Sequence, residues 1–220
     1  MNRSVSILLL FAVGLLFIGT GCSSDPNVEG AKLDLRNSNY EQALDNIQKA
    51  LSANPKNATA WQVKGNIHQE QLSGLQSNLD RRSQVVDSMV AAYNRAIEFG
   101  GDASTINQSL RRAWVTEMQA GGNAYEAGAD SAAAYERAAH HFKNATSIAP
   151  DSLDGYINLG YSYIGAGQQK QAIQPFETAM EKGAESAQLY LLLGQIYRRN
   201  GQNEKAVQVF EEGRNLHPDD

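Results

Sequence analysis

The sequence of 220 residues has a single cysteine and five prolines, and its basic residues are outnumbered by its acidic ones. One cysteine cannot form an intramolecular disulfide. The formal net charge of −5 argues against nucleic acid as the main partner, because phosphate binding requires a basic surface. Strand-type alternation of Val, Ile and Thr is also missing, so the sequence predicts a helical protein. Its hydrophobic content of 42% excludes general disorder.

Long hydrophobic runs are absent except at the amino terminus. Arg3 is followed by an apolar run of 14 residues, Val5 to Ile18, and then by the small residues at positions 19–21. This layout is typical of a secretory signal, and the run is shorter than the ~20 residues that span a bilayer. We therefore predict a signal peptide at 1–21 and no transmembrane helix in the remaining chain.

The only cysteine, Cys22, directly follows this segment. Thr20-Gly21-Cys22 and the serine that follows resemble the lipobox of bacterial lipoproteins, although Gly19 stands where that family usually has leucine. The resemblance implies cleavage before Cys22, and attachment of diacylglyceryl and further acyl chains such as palmitate to that residue. Several acyl chains hold a protein stably on a membrane. The alternative is a plain secretory signal with an unmodified cysteine.

The same resemblance implies a location in the bacterial cell envelope. Ser23 follows the cysteine where an aspartate would be expected for retention at the inner membrane, which is similar to the outer-membrane sorting class. We expect residues 22–26 to form a lipidated tether that holds the protein at the outer membrane, facing the periplasm.

A pattern of large and small residues occurs twice near the carboxyl end, with an offset of 34 residues. The first copy has helical spacing, then Gly167, then a second stretch of helical spacing, so each copy predicts a helical hairpin. The paired positions are Tyr156 and Tyr190, Leu159 and Leu193, Gly160 and Gly194, Tyr163 and Tyr197, Gly167 and Gly201, Ala172 and Ala206, and Phe176 and Phe210.

This spacing resembles the tetratricopeptide repeat, whose signature is W-x2-L-G-x2-Y followed by Gly, Ala, Phe and Pro at set distances. Less regular copies lie upstream. The resemblance implies an all-α superhelical array of about five helical hairpins over 27–219, because one hairpin cannot bury its apolar face alone. The expected repeats are 27–57, 58–102, 103–152, 153–186 and 187–219.

The second and third repeats are longer than the others. Trp61 and Tyr93 are 32 positions apart, whereas the corresponding Tyr156 and Phe176 are 20 apart. Long structureless loops are uncommon in compact domains, so we predict lengthened helices that bury each other's apolar faces. Helical spacing continues through Leu72 and Leu75 in the second repeat. In the third it continues along Ile106, Leu110, Trp114, Met118 and Tyr125.

The family resemblance implies a concave groove, lined by the first helix of each hairpin, that binds a protein or peptide. Its amides would pair with a peptide backbone, and Tyr161 would be a flat anchor. Alternatively these are ordinary solvated residues, and Tyr161 packs on its neighbours. The expected groove residues are Gln62, Asn66, Gln69, Gln108, Arg112, Tyr161, Ile164, Leu191, Gln195 and Arg198.

Signals of catalysis are missing from the sequence. We find no nucleophile–base pair, carboxylate pair or cofactor loop, so we expect neither an enzyme nor a cofactor. His140 and His141 point about 100° apart on a helix and cannot share a metal ion. The pairs Arg81-Arg82, Arg111-Arg112 and Arg198-Arg199 form salt bridges or a solvated face, or else one of them meets an acidic partner or lipid headgroup.

The last predicted helix carries Val207 and Phe210, and no polar capping helix follows it. Its outer side would pair with another copy or partner, or would simply be polar enough for solvent. The sequence as a whole predicts a membrane-anchored, periplasm-facing scaffold for protein–protein interaction in envelope or outer-membrane assembly. The alternative is a chaperone-like holder of unfolded periplasmic clients.

Overall fold

The computed structural model describes residues 25–218, and this part of the chain contains ten α-helices and no β-strand. The prediction of an all-α protein is therefore confirmed. In chain order the helices are α1 Pro26–Arg36, α2 Tyr40–Ala53, α3 Ala58–Gln71, α4 Leu79–Glu98, α5 Ala103–Glu126, α6 Ala132–Ile148, α7 Leu153–Gly165, α8 Ile173–Glu181, α9 Ala187–Arg199 and α10 Asn203–Leu216.

Consecutive helices pair into five hairpins that stack in chain order, as in a tetratricopeptide superhelix. We number them hairpins one to five, from α1–α2 to α9–α10. Short polar side chains begin several helices: Asn57 accepts a hydrogen bond from the Ala60 amide, and Asp102 accepts from the amides of Ser104 and Thr105. Gly167 has φ 76°, a left-handed conformation that glycine adopts without strain just beyond the end of α7.

Glycine on the first helix faces an aromatic ring on the second helix in four of the five hairpins. An added Cβ would lie 2.3 Å from the Phe176 ring at Gly160 and 2.4 Å from the Phe210 ring at Gly194. The same arrangement joins Gly65 to Tyr93 and Gly121 to Phe142. The two backbones approach closely because the glycine leaves room for the ring, which explains why small and aromatic residues recur together in the repeat.

The predicted lengthening is found in hairpins two and three, and it lies chiefly in three helices. α4 has 20 residues, α5 has 24 and α6 has 17, whereas α7 has 13. The prediction that α3 continues through Leu72 and Leu75 was wrong. A 3-10 turn at Leu72–Gly74 ends it, and Asn78 caps the start of α4 by accepting from the Arg81 amide. The extra residues of hairpin two therefore extend its second helix.

Hairpins two and three pack against each other along much of their length. Leu72 and Val85 from hairpin two share one apolar cluster with Ile106 and Ile148 from hairpin three, and α4 contacts α6 directly. The expected stripe of α5 through Leu110, Trp114 and Met118 is only half-buried. The buried stripe is Ile106, Ser109, Ala113, Glu117 and Gly121. Its small residues let the neighbouring helices approach α5 more closely than a stripe of large ones would.

Two adjacent glycines in α5 are expected to respond oppositely to alanine. At Gly121 an added Cβ would lie 2.8 Å from the buried Phe142 ring, so Gly121→Ala should lower the free energy of unfolding by roughly 1–2 kcal/mol through overpacking. An added Cβ at Gly122 would meet no atom within 4 Å beyond the backbone of its own helix, so Gly122→Ala should raise the free energy of unfolding by about 0.5–1 kcal/mol through helix propensity. Urea titration of both variants measures the difference, and two effects of the same sign would contradict the packing.

Candidate functional site

The ten expected groove residues all lie on first helices, and none of them is buried. They come from α3, α5, α7 and α9, so consecutive hairpins each contribute two or three side chains. Arg112 and Arg198 are exposed, Gln195 is half-buried, and Leu191 is 45% exposed, which is high for a leucine. A surface formed in this way is available to a partner without any rearrangement of the fold.

The amide residues in hairpin two also have structural contacts. The Tyr93 hydroxyl lies 2.8 Å from Asn66 Oδ1 and 2.7 Å from Gln69 Oε1, and it can donate its one proton to either oxygen. Burial raises the pKa of Tyr93 to about 12, so this hydroxyl keeps its proton at neutral pH. Gln69 Nε2 donates to the Ser109 carbonyl oxygen at 3.4 Å. These contacts hold the two amides in place and leave only part of their hydrogen-bonding capacity for a partner.

The three expected apolar groove residues in the carboxyl half of the chain lie in two different environments. Tyr161 packs edge-on against the Phe176 ring with centroids 5.5 Å apart, and Ile164 packs beside it on the core of hairpins four and five. Leu191 instead lines a cavity of 510 Å³ between α9 and α10, together with Phe210. Tyr161 thus has a packing role, and Leu191 is the freest apolar side chain of the expected groove set.

Val207 and Phe210 are both expected on the outer side of α10, and the structure differs for Phe210. Val207 is 55% exposed, as expected. Phe210 does not face outward, because its half-buried ring packs over Gly194 on α9. In hairpins two to five the glycine of the first helix leaves room for an aromatic ring of the second helix, and Phe210 occupies this place in hairpin five.

A buried polar network, which sequence analysis did not identify, joins hairpins two and three. Glu117 on α5 has no exposed surface and accepts from Arg82 Nε at 2.8 Å and Arg82 Nη2 at 2.6 Å. Its second oxygen accepts from His141 Nδ1 at 2.8 Å and Asn144 Nδ2 at 3.2 Å. Arg82 also donates to the Leu72 carbonyl oxygen at 2.6 Å. One carboxylate therefore connects α4, α5 and α6.

The sequence did contain a signal for this network. Glu117 lies four residues from both Ala113 and Gly121 in the buried stripe of α5, where a charged residue requires a partner. Of the pair Arg81-Arg82, only the first residue is exposed, whereas Arg82 is 4% exposed. The expected salt bridge exists for Arg82, but it is internal and is not part of a solvated face.

The environment of Glu117 favours its charged form. Burial alone would raise the pKa of this carboxyl, but hydrogen bonds from His141 and Arg82 and the Arg82 charge outweigh burial and hold the pKa below its ordinary value. A carboxylate accepts hydrogen bonds and cannot donate them, so His141 must carry its proton on Nδ1. Its other nitrogen, Nε2, has no hydrogen-bond partner within residues 25–218.

The network predicts a defined loss of stability in acid. Because the pKa of Glu117 is lower in the folded than in the unfolded chain, its contribution is complete above a pH of about 4.5 and declines as the pH falls below that value. Urea unfolding of the wild type and Glu117→Gln between pH 7 and pH 3 tests this. The difference in unfolding free energy should narrow towards pH 3, and a constant difference would contradict the assignment.

The remaining expectations concern the membrane anchor, membrane-spanning helices and metal sites. Cys22 and the expected signal peptide lie outside the described residues. Within residues 25–218 no helix is long and apolar enough to cross a membrane, and no group of three or more acidic, histidine or cysteine side chains is placed to hold a metal ion.

Comparison with solved structures finds matches at low sequence identity. "Crystal structure of MamA" is 15% identical, with 86% of this chain and 94% of that chain covered and a TM-score of 0.40. "Crystal structure of PilW, widely conserved type IV pilus biogenesis factor" is 18% identical, with 88% and 93% covered and a TM-score of 0.41. "Crystal structure of YrrB: a TPR protein with an unusual peptide-binding site" is 17% identical, with 88% and 86% covered and a TM-score of 0.39.

Two family models match parts of the chain, whereas the search of curated proteins finds no match. Tetratricopeptide-repeat family models match residues 28–72, which cover hairpin one and the first helix of hairpin two, and residues 163–220, which run from the end of α7 through hairpin five. The two ends of the chain therefore match tetratricopeptide repeats over these residues.

Proposed function

We propose that this protein is a membrane-anchored scaffold that faces the periplasm and binds a protein or peptide partner in the groove formed by its first helices. The observation that carries the proposal is that all ten expected groove side chains remain unburied, although the helices that bear them are packed on other sides. Tetratricopeptide repeats mediate protein–protein interaction, and stacked hairpins present an extended surface suited to this role.

The groove is proposed to recognise its partner through Leu191, Gln195 and Arg198 in hairpin five, next to Tyr161 and Ile164 in hairpin four. An exposed leucine and half-buried aromatic and aliphatic side chains supply apolar contact. Gln195 and Arg198 supply hydrogen-bond donors, with which a peptide backbone or an acidic side chain can pair. In hairpins two and three, Gln62, Asn66, Gln69, Gln108 and Arg112 would continue the polar part of this surface.

Cross-linking and affinity purification of the acylated protein from membranes test the proposal. Enrichment of one envelope assembly is the expected result. Gln195→Glu combined with Arg198→Glu should abolish that enrichment, whereas the same charge changes on second helices, Arg137→Glu with Gln174→Glu, should leave it unchanged. Binding of many unrelated unfolded peptides with similar affinity would instead indicate a chaperone-like holder, and equal effects of both double variants would contradict the groove.

The membrane anchor is proposed to be a lipid on Cys22, supported by the lipobox-like sequence around it. Cys22→Ser should shift the protein from the membrane fraction to the soluble fraction, because removal of the acyl chains leaves no long apolar segment after residue 21. Fractionation followed by immunoblotting measures the shift. A Cys22→Ser protein that stays with the membranes would contradict the lipid anchor.

Self-association through hairpin five is a further part of the proposal. Val207 and Leu216 are about half exposed on α10. If a second copy covers these side chains, Val207→Glu should convert dimers to monomers in sedimentation-velocity experiments, whereas Gln208→Glu on the same helix should not. A wild-type protein that is monomeric at ~100 µM or above would exclude this contact, without affecting the groove.

A further inference from the structure

A cavity of 560 Å³ opens beside the buried network, between the extended ends of hairpins two and three. We call it the overhang cavity. Leu72 and two alanines of α5 form the apolar part of its wall, and the polar lining comes from Gln69, Glu70, Ser73, Gln76, Arg82, Thr116, Glu117 and His141. It exists because α4 and α5 are longer than the helices of the regular hairpins.

The hydroxyl groups of this lining have already used their protons. Ser73 Oγ donates to the Glu70 carbonyl oxygen at 2.8 Å, and Thr116 Oγ1 donates to the Arg112 carbonyl oxygen at 3.0 Å. A hydroxyl has one proton and two lone pairs. Both oxygens can therefore only accept hydrogen bonds from a molecule in the cavity.

Neutral His141 likewise offers the cavity a hydrogen-bond acceptor and no donor. Its Nδ1 proton is committed to the Glu117 carboxylate, which leaves a lone pair on Nε2. That nitrogen has no partner among the described residues, and the His141 side chain is 11% exposed where it lines the cavity. Glu117 thus orients an imidazole so that it presents an acceptor, although Glu117 itself is fully satisfied.

The charge of the lining favours a cation. The Arg82 charge is matched by Glu117 at 2.6 Å, so the pair contributes little net charge. Glu70 is exposed at the rim and forms no ion pair within the described part of the chain. The cavity accordingly combines one unmatched carboxylate with acceptor atoms from a serine, a threonine and a histidine.

We propose that the overhang cavity binds a primary ammonium group, supplied by a lysine side chain of a partner protein or by a free polyamine. An ammonium has three donors and no acceptor, which complements Ser73, Thr116, His141 and Glu70. The long methylene stem of such a ligand would lie against the apolar part of the wall. The site is separate from the groove residues of hairpin five, whereas Gln69 belongs to both the cavity wall and the amino-terminal part of the groove.

Isothermal titration calorimetry at about pH 8 tests the proposal with two probes, the capped peptide acetyl-Gly-Lys-Gly-amide and spermidine. Either probe should bind, whereas the same peptide with norleucine in place of lysine should bind at least tenfold more weakly, since it lacks the charged donors. Tighter binding of the peptide identifies a partner's lysine as the source, and tighter binding of spermidine identifies a polyamine. No binding of either probe at ~10 mM would overturn the proposal.

Two variants locate the binding within the cavity and leave the buried network intact. Glu70→Gln changes an exposed side chain and should weaken binding of the better probe roughly tenfold, through loss of a charge-assisted hydrogen bond. Glu98→Gln removes an exposed carboxylate from the same hairpin outside the cavity and should change binding less than twofold. Equal effects of the two variants would overturn the proposal. Gln195→Glu with Arg198→Glu should not affect it, which separates this site from the hairpin-five part of the groove.

Discussion

Glu117→Ala is expected to lower the free energy of unfolding by about 3–5 kcal/mol, because the buried guanidinium of Arg82 would lose its counter-charge. Arg82 is 4% exposed and Glu117 has no exposed surface, so the pair lies almost entirely out of water in the wild type. His141 and Asn144 would lose their acceptor as well. Urea unfolding at pH 7, monitored by circular dichroism, measures the change.

Two comparisons separate burial from charge in this prediction. Glu98→Ala breaks the exposed pair with Arg95, whose side chains are both 55% exposed, and should cost less than about 1 kcal/mol. Replacing both buried charges, as in Arg82→Met with Glu117→Leu, should recover most of the loss from Glu117→Ala, because no unpaired charge remains. If Glu117→Ala costs no more than Glu98→Ala, the network does not hold hairpins two and three together.

Phe176→Ala is expected to cost about 3–5 kcal/mol of unfolding free energy, because it leaves a cavity at the centre of hairpin four. The ring has no exposed surface, lies over Gly160 and meets Tyr161 edge-on. The surrounding helices cannot collapse into the space without separating α7 from α8. Thermal and urea unfolding both measure this loss.

The matched control occupies the same position of the next repeat. Phe210 lies over Gly194 as Phe176 lies over Gly160, but Phe210 is half-buried where Phe176 is fully buried. Phe210→Ala should therefore cost clearly less than Phe176→Ala, since part of the ring surface already faces water. A larger loss for Phe210→Ala would show that the ring of the last hairpin is covered in solution, as it would be by a second copy of the chain.

The regular repeats were predictable because their packing is local. Gly160 and Phe176 are 16 positions apart in the chain, and each hairpin is a unit whose two helices are neighbours in sequence. Helical spacing is therefore sufficient to locate the contact between the two helices. The extra length of the helices in hairpins two and three was predictable for the same reason, since surplus residues with helical spacing have to extend helices.

Residue spacing is a weaker guide to the contacts between two hairpins. The predicted stripe through Trp114 and Met118 lies beside the buried stripe of α5, because spacing alone favours large apolar residues as the contact face. The close approach instead uses the small residues Ala113 and Gly121, and Glu117 between them was overlooked. Likewise, the ending of α3 at Gln71 depends on a 3-10 turn and on the Asn78 cap of the following helix.

The amino-acid sequence alone determined the all-α class, the hairpin repeat and which side chains lie on the first helix of each hairpin. These features follow from periodicities of 3.6 and 34 residues. Only the tertiary structure decided that Arg82, Glu117 and His141 meet between hairpins two and three and leave a cavity with spare acceptors. Arg82 and His141 are 35 and 24 positions away from Glu117 along the chain. Their meeting depends on how two extended hairpins pack, and no local pattern encodes that.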